Sequence, residues 1–150
     1  MIAVGLKLRY GTTLVAAMLG VTIMVSAAAS EVSAGDWAAK VQRWRAVSDR
    51  DGMRIDVGAV PASREGDMAR GVLRMQYTQP QRTFDRNIEY DRMDGGLELN
   101  CVQPAYRPLT GRAYLRDVLV QEVVGSPADA ASPAPQGGQA MEMIVEACGQ

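Results

Sequence analysis

Histidine occurs nowhere in the 150 residues. Its absence removes the commonest general base and the commonest metal ligand, and with them every Ser-His-Asp or Cys-His scheme and the Cys-x-x-Cys-His attachment of c-type haem. There are only two cysteines, Cys101 and Cys148. If they are joined, no thiolate nucleophile or zinc cluster is left. No glycine-rich phosphate loop of either standard spacing is present. Aromatic residues make up 5% of the chain, with Phe84 the single phenylalanine, so a core here needs its tyrosines. The longest apolar run, Leu14 to Val25, is too short to cross ~30 Å of hydrocarbon comfortably as a helix.

That run has a different context. Lys7 and Arg9 precede it, and the small residues Ser26, Ala27, Ala28 and Ala29 follow. Positive charge, apolar stretch and Ala-x-Ala in that order predict a cleavable signal peptide over residues 1–29. The competing reading is an uncleaved anchor. No cysteine stands near the cleavage position, which points away from a lipid-anchored form. Residues 30–150 carry 14 basic and 17 acidic side chains, a net charge of −3. So mild a charge argues against a polyanion-binding protein. An even cysteine pair in an exported chain reads as a disulfide, the alternative being two free thiols. Closing a loop of that length is worth about 4 kcal/mol in the chain-entropy picture.

Ser30–Gly35 reads as a lead-in and 36–150 as one domain. A first strand is expected near Arg43–Ser48, then a turn at Asp49–Gly52. Met53, Ile55 and Val57 alternate with Arg54 and Asp56 as a half-buried strand does. Alternation returns over Ala69–Tyr77, breaks at Gln79-Pro80-Gln81, and resumes from Phe84 to Asp91. Asp94-Gly95-Gly96 gives a hairpin signal. Leu97, Leu99 and Cys101 then alternate, and Tyr114–Val124 reads as a last strand. Residues 125–138 form a Pro/Ala/Gly-rich loop with no periodicity, expected to be flexible. Met141, Ile144, Val145 and Cys148 fall at helical spacing. The expectation is an α+β domain: an antiparallel sheet of about six strands, one C-terminal helix on one face, and a single disulfide.

Two groups of side chains are candidates for function. Asp85, Glu89 and Asp91 share one predicted strand face, with Glu98 across the hairpin. Paired carboxylates serve glycoside hydrolysis or calcium binding. Yet alternating charge is also what the solvated face of a sheet shows, and Arg70, Arg74 and Arg92 are placed to neutralise it. The second group is Tyr106, Arg107, Arg112, Tyr114 and Arg116 around Pro108–Gly111, read as a turn. Arginine and tyrosine dominate binding hot spots, but tyrosines also cap small cores. Arg107, Arg112, Tyr114 and Arg116 are the residues expected to bind.

The ordered signals include an early tryptophan and a strand Arg54-Ile55-Asp56. Leu97-Glu98-Leu99-Asn100-Cys101 follows, then Arg107, Leu109, Gly111 and Tyr114, a Pro/Gly-rich loop, and a short helix ending in the second cysteine. In this order the chain, from about Asp36 to Gly149, resembles the surface-adhesin protein E-like family of Gram-negative bacteria. The resemblance implies a small antiparallel sheet with a flanking helix and a disulfide. For the family's named member, a surface lipoprotein, it implies adhesion to host extracellular matrix. This chain departs from that pattern in lacking a lipidation cysteine, and no motif carries binding residues across. The expected function is a non-catalytic binding module, periplasmic or secreted, with no cofactor and no metal. Its expected partner is a protein or another envelope component, not nucleic acid, without stable membrane insertion after signal cleavage. The alternative is a small periplasmic hydrolase or metal-binding protein on the acidic strand face.

Overall fold

The computed structural model describes residues 36–83, 85–126 and 128–149. The expected signal peptide, residues 1–29, lies outside them. Six strands follow one another in an antiparallel meander: β1 Arg45–Arg50, β2 Met53–Ala59, β3 Met68–Arg82, β4 Glu89–Asn100, β5 Ala105–Leu115 and β6 Val118–Val124. A two-residue β7, Ser132–Pro133, pairs with the start of β5, and helix α1 spans Gln139–Cys148. The expected class is therefore the observed one, disulfide included.

Side chains alternate across a strand, so the register sorts the sheet into two faces. On the first, Val57 and Ala59 of β2, Ala69 of β3 and Leu97 and Leu99 of β4 pack against Met143, Ile144 and Ala147 of α1. This is the helix face. On the second, register aligns Asp56, Arg74, Asp94, Arg112 and Glu122 from β2 to β6 in one row of alternating charge. Part of this charged face is covered by the segment before β1, where Trp37 and Ala38 pack with Val72 and Leu109.

Of the expected helix stripe, Met141, Ile144 and Cys148 pack against the sheet as read, joined by Ala140, Met143 and Ala147, while Val145 is 63% exposed. The small residues win because they let the helix settle close: a Cβ on Gly71 would lie 2.6 Å from the Met143 sulfur. At the helix end, Cys148 is bonded to Cys101, one residue beyond β4, with Cα atoms 5.6 Å apart. That separation is ordinary for a disulfide.

Four expected boundaries are corrected. Asp94-Gly95-Gly96 is no hairpin; β4 runs straight through it, with Asp94 buried. Gly96 is there for close approach: a Cβ would meet Thr110 Oγ1 at 2.5 Å and the Trp37 ring at 3.1 Å. Pro108–Gly111 is no turn; it lies within β5, where a register shift opposite Gly96 and Leu97 accommodates a proline that cannot donate a ladder hydrogen bond. The chain instead reverses at Arg116–Asp117, both with left-handed backbone (φ +49° and +65°), splitting the expected strand 114–124. Pro80 likewise sits in a stretch of β3 where pairing with β4 is interrupted, and the strand continues to Arg82. Within residues 125–138, β7 pairs with Ala105 and Tyr106, and Ala134 is buried and donates its N–H to the Pro104 carbonyl.

Candidate functional site

β5 carries all but one of the expected binding residues, and its straightness decides where they go. Arg107 and Arg116 lie near opposite ends, about 30 Å apart along an extended chain. They cannot share a small ligand. Arg112 sits in the middle of the charged row and is only 17% exposed, held by Glu122 at 2.7 Å and Asp36 at 3.3 Å. Tyr114 is buried at 7% exposure beneath the Arg92 guanidinium, 4.1 Å from the ring centre. Burial, with Asp36 adding to it, pushes the Tyr114 phenol above its usual value. Arg116 stands on the exposed β5–β6 turn, its backbone N–H donating to Asp91 at 2.9 Å. Arg112 and Tyr114 thus belong to the packed charged face, and Arg107 alone of the four opens onto a sizeable hollow.

That hollow lies where β4 and β5 meet beyond the Trp37 cover, and its volume is about 770 Å³. Three features shape it. The turn Val102–Pro104 closes one end, its amides at Val102 and Gln103 donating to the Asn100 side chain. The Pro/Ala-rich segment contributes Ala131 and Pro133, brought in by the β7 pairing. Met68 of β3 and Ala105 of β5 complete the aliphatic walls, and Tyr106 of β5 lines it too. Inside it the Arg107 guanidinium donates to the Glu98 carboxylate, both partly buried. Arg70 of β3 stands in register beside Glu98, so Arg70, Glu98 and Arg107 make a second charged row across three strands.

The acidic residues do not converge. Glu89 is paired with Arg82 at 2.6 Å. Asp85 lies 3.7 Å from Arg86 and accepts weakly from Gln121 at 3.5 Å. Asp91 is taken by the Arg116 amide, and Glu98 is at the hollow. Of the arginines expected to neutralise them, Arg74 instead pairs with Asp94 at 2.7 Å, and Arg92 with Asp94 and Asp117. Among the described residues no three His, Cys, Asp or Glu side chains are grouped as a metal site would require. No helix among the described residues is long and apolar enough to cross a membrane.

Sequence reasoning missed the walls of the hollow. Met68, Ala131 and Pro133 meet only because two-residue β7 finds β5, and backbone pairing that short leaves no periodic trace. It also missed the arginine–aromatic stacking on the charged face, where Arg74 lies 4.1 Å above the Trp44 ring and Arg70 5.2 Å above Trp37. Compared with protein-family models, curated proteins and solved structures, the chain matches none of them.

Proposed function

We propose that this domain is a non-catalytic binding module of the bacterial envelope, periplasmic or secreted, whose ligand seat is the hollow at Glu98 and Arg107. The observation that carries the reading is the contrast between that hollow and the rest of the polar surface. Asp94 and Glu146, by contrast, are each held by two arginines, in the charged row and at the helix, and Glu89 by one on the open surface. In the hollow, one ion pair sits within aliphatic walls large enough for a small ligand or a peptide side chain, the usual make-up of a binding site. The resemblance to surface-adhesin protein E-like proteins points the same way, and the disulfide suits an oxidising compartment.

The test is capture from envelope extract with the exported protein, comparing wild type with Arg107→Ala and Arg116→Ala. The reading expects Arg107→Ala to lose the captured component and Arg116→Ala, at the far end of β5, to keep it. Glu89→Gln should have no catalytic phenotype. Turnover of a glycan, peptide or ester that Glu89→Gln abolishes without unfolding the protein would sink the reading.

A further inference from the structure

We infer that the free edge of β6 is an interaction surface whose occupant is the β6 of a second copy of this chain. Among the described residues six large apolar side chains stand exposed, and four of them, Val118, Leu119, Val123 and Val124, are on this one strand. β6 ends the sheet: it pairs with β5 on one side and with no described strand on the other. Glu122 lies in the charged row, so Val124 shares that face, while Gln121 and Val123 lie on the helix face. Apolar groups thus flank both faces of an edge whose outward backbone groups are a template for another strand. The opposite edge is built differently. β1 reads Arg-Ala-Val-Ser-Asp-Arg, and Arg45 in it is tied to Glu142 and Glu146 of α1. Charge of that kind blunts an edge against pairing. With one edge blunt and one open, β6 on β6 closes after two copies, whereas β6 on β1 would propagate without end.

Charge selects the copy and sets the register. Glu122 is the only charged residue of β6, and Arg112 of the neighbouring strand answers it at 2.7 Å. The edge therefore has nothing to offer a charged strand, and nothing that repels its own copy so long as the two Glu122 side chains are kept apart. In a two-fold antiparallel pair, directly opposite residues share a face, so the axis passes through one residue and its copy. An axis at Gln121 runs into Val120, which a register shift leaves without a partner on β5. An axis at Glu122 sets carboxylate against carboxylate. An axis at Val124 carries most of the overlap past the end of the strand. An axis at Val123 sets valine against valine on the helix face and Glu122 against Val124 on the charged face. The meander of one copy then continues into that of the other. The axis stands perpendicular to the sheet, so both copies turn their charged faces to the same side.

The experiment is sedimentation equilibrium of the exported protein. At about 0.1 mM the wild type should sediment at twice its chain mass and dissociate on dilution. Val123→Lys sets two ammonium groups against each other at an exposed position, and should restore the single-chain mass with the circular dichroism spectrum unchanged. Val145→Lys, similarly exposed on α1, should leave the dimer intact. Cysteine cross-linking reads the register. Val123→Cys would stand about 5 Å from its copy across the axis and should oxidise to a linked dimer with the Cys101–Cys148 bridge retained. Val118→Cys, about 30 Å from its copy, should not. A wild type that keeps the single-chain mass overturns the inference, and so does a dimer indifferent to Val123→Lys. Cross-linking through Val118→Cys and not Val123→Cys overturns it too, because the copies then meet in another register. If the chain stays single and an added extended apolar peptide protects the β6 amides from hydrogen exchange, the edge belongs to a foreign strand and the second copy falls.

Discussion

The two faces of this one sheet solve the problem of cover in opposite ways. The helix face is apolar and sealed by α1, which brings Met143, Ile144 and Ala147 down on Val57, Leu97 and Leu99. Its cover is held covalently at Cys148 and electrostatically at Glu146, which takes Arg43 at 3.1 Å and Arg45 at 2.9 Å. The charged face is crossed by the row from Asp56 to Glu122, with Asp56 and Asp94 buried. Its cover is a short segment around Trp37 and Trp44 that rests on arginines. One face gains from removing hydrocarbon from water; the other must satisfy every charge it desolvates. The incomplete cover of the second face is what leaves a hollow beside it.

The comparison can be broken most severely at the covalent clamp. Cys148→Ala should cost about 4 kcal/mol, the entropy of freeing a loop of this length, read as a drop in the urea midpoint. Next on the helix face, Leu99→Ala, at a fully buried position, should cost about 3–4 kcal/mol. The charged face answers differently. Asp94→Ala leaves Arg74 half-buried without its carboxylate and should cost about 3 kcal/mol. The double change Asp94→Leu with Arg74→Met should recover most of that loss in the same denaturation assay. If the double variant stays as weak as the single, the row contributes more than mutual neutralisation.

Smaller changes sharpen the contrast. Gly96→Ala would push against Thr110 and Trp37 and should cost about 1–2 kcal/mol, with loss of near-ultraviolet tryptophan signal and the helix unaffected. Glu146→Gln is the mildest. Burial works against the ionised Glu146, but hydrogen bonds from Arg45 and Arg43 outweigh it and hold the carboxyl below the usual range. A carboxyl depressed in the folded state lends stability above its unfolded pKa and loses it as pH falls through the folded value. The deficit of Glu146→Gln against wild type, about 1 kcal/mol at neutral pH, should therefore shrink as pH falls through the carboxylate range. A deficit constant with pH would make Glu146 a packing residue and not an electrostatic tie.

Much of the helix face was legible in advance because its signal is periodic. Met53-Arg54-Ile55-Asp56-Val57 alternates, and β2 is where that alternation places it. The expected turn at Asp49–Gly52 is observed as the β1–β2 reversal, with Asp51 and Gly52 in left-handed backbone. The charged face misled at its glycines and prolines. Gly95 and Gly96 look like a turn, but the missing side chain of Gly96 makes room for Trp37, which is distant in sequence. Pro108 looks like a breaker, yet the register shift absorbs it. Arg116 and Asp117 make the real turn without a glycine, so no local residue announced it.

The candidate site divides along the same line. Arg107 was singled out from residue type, and it does reach the hollow. Arg112, Tyr114 and Arg116 shared its neighbourhood in sequence but went to the charged row, the packed interior and the far turn, because an extended strand spreads its residues along its length. By itself the sequence determined the strand alternation, the helix, the cysteine pair and the absence of histidine chemistry, since each is written in local spacing or in composition. Only the tertiary structure decided which charges became neighbours. Asp56, Arg74, Asp94, Arg112 and Glu122 are far apart in the chain and form a row through register alone, and register is set by the summed pairing of whole strands against a buried face.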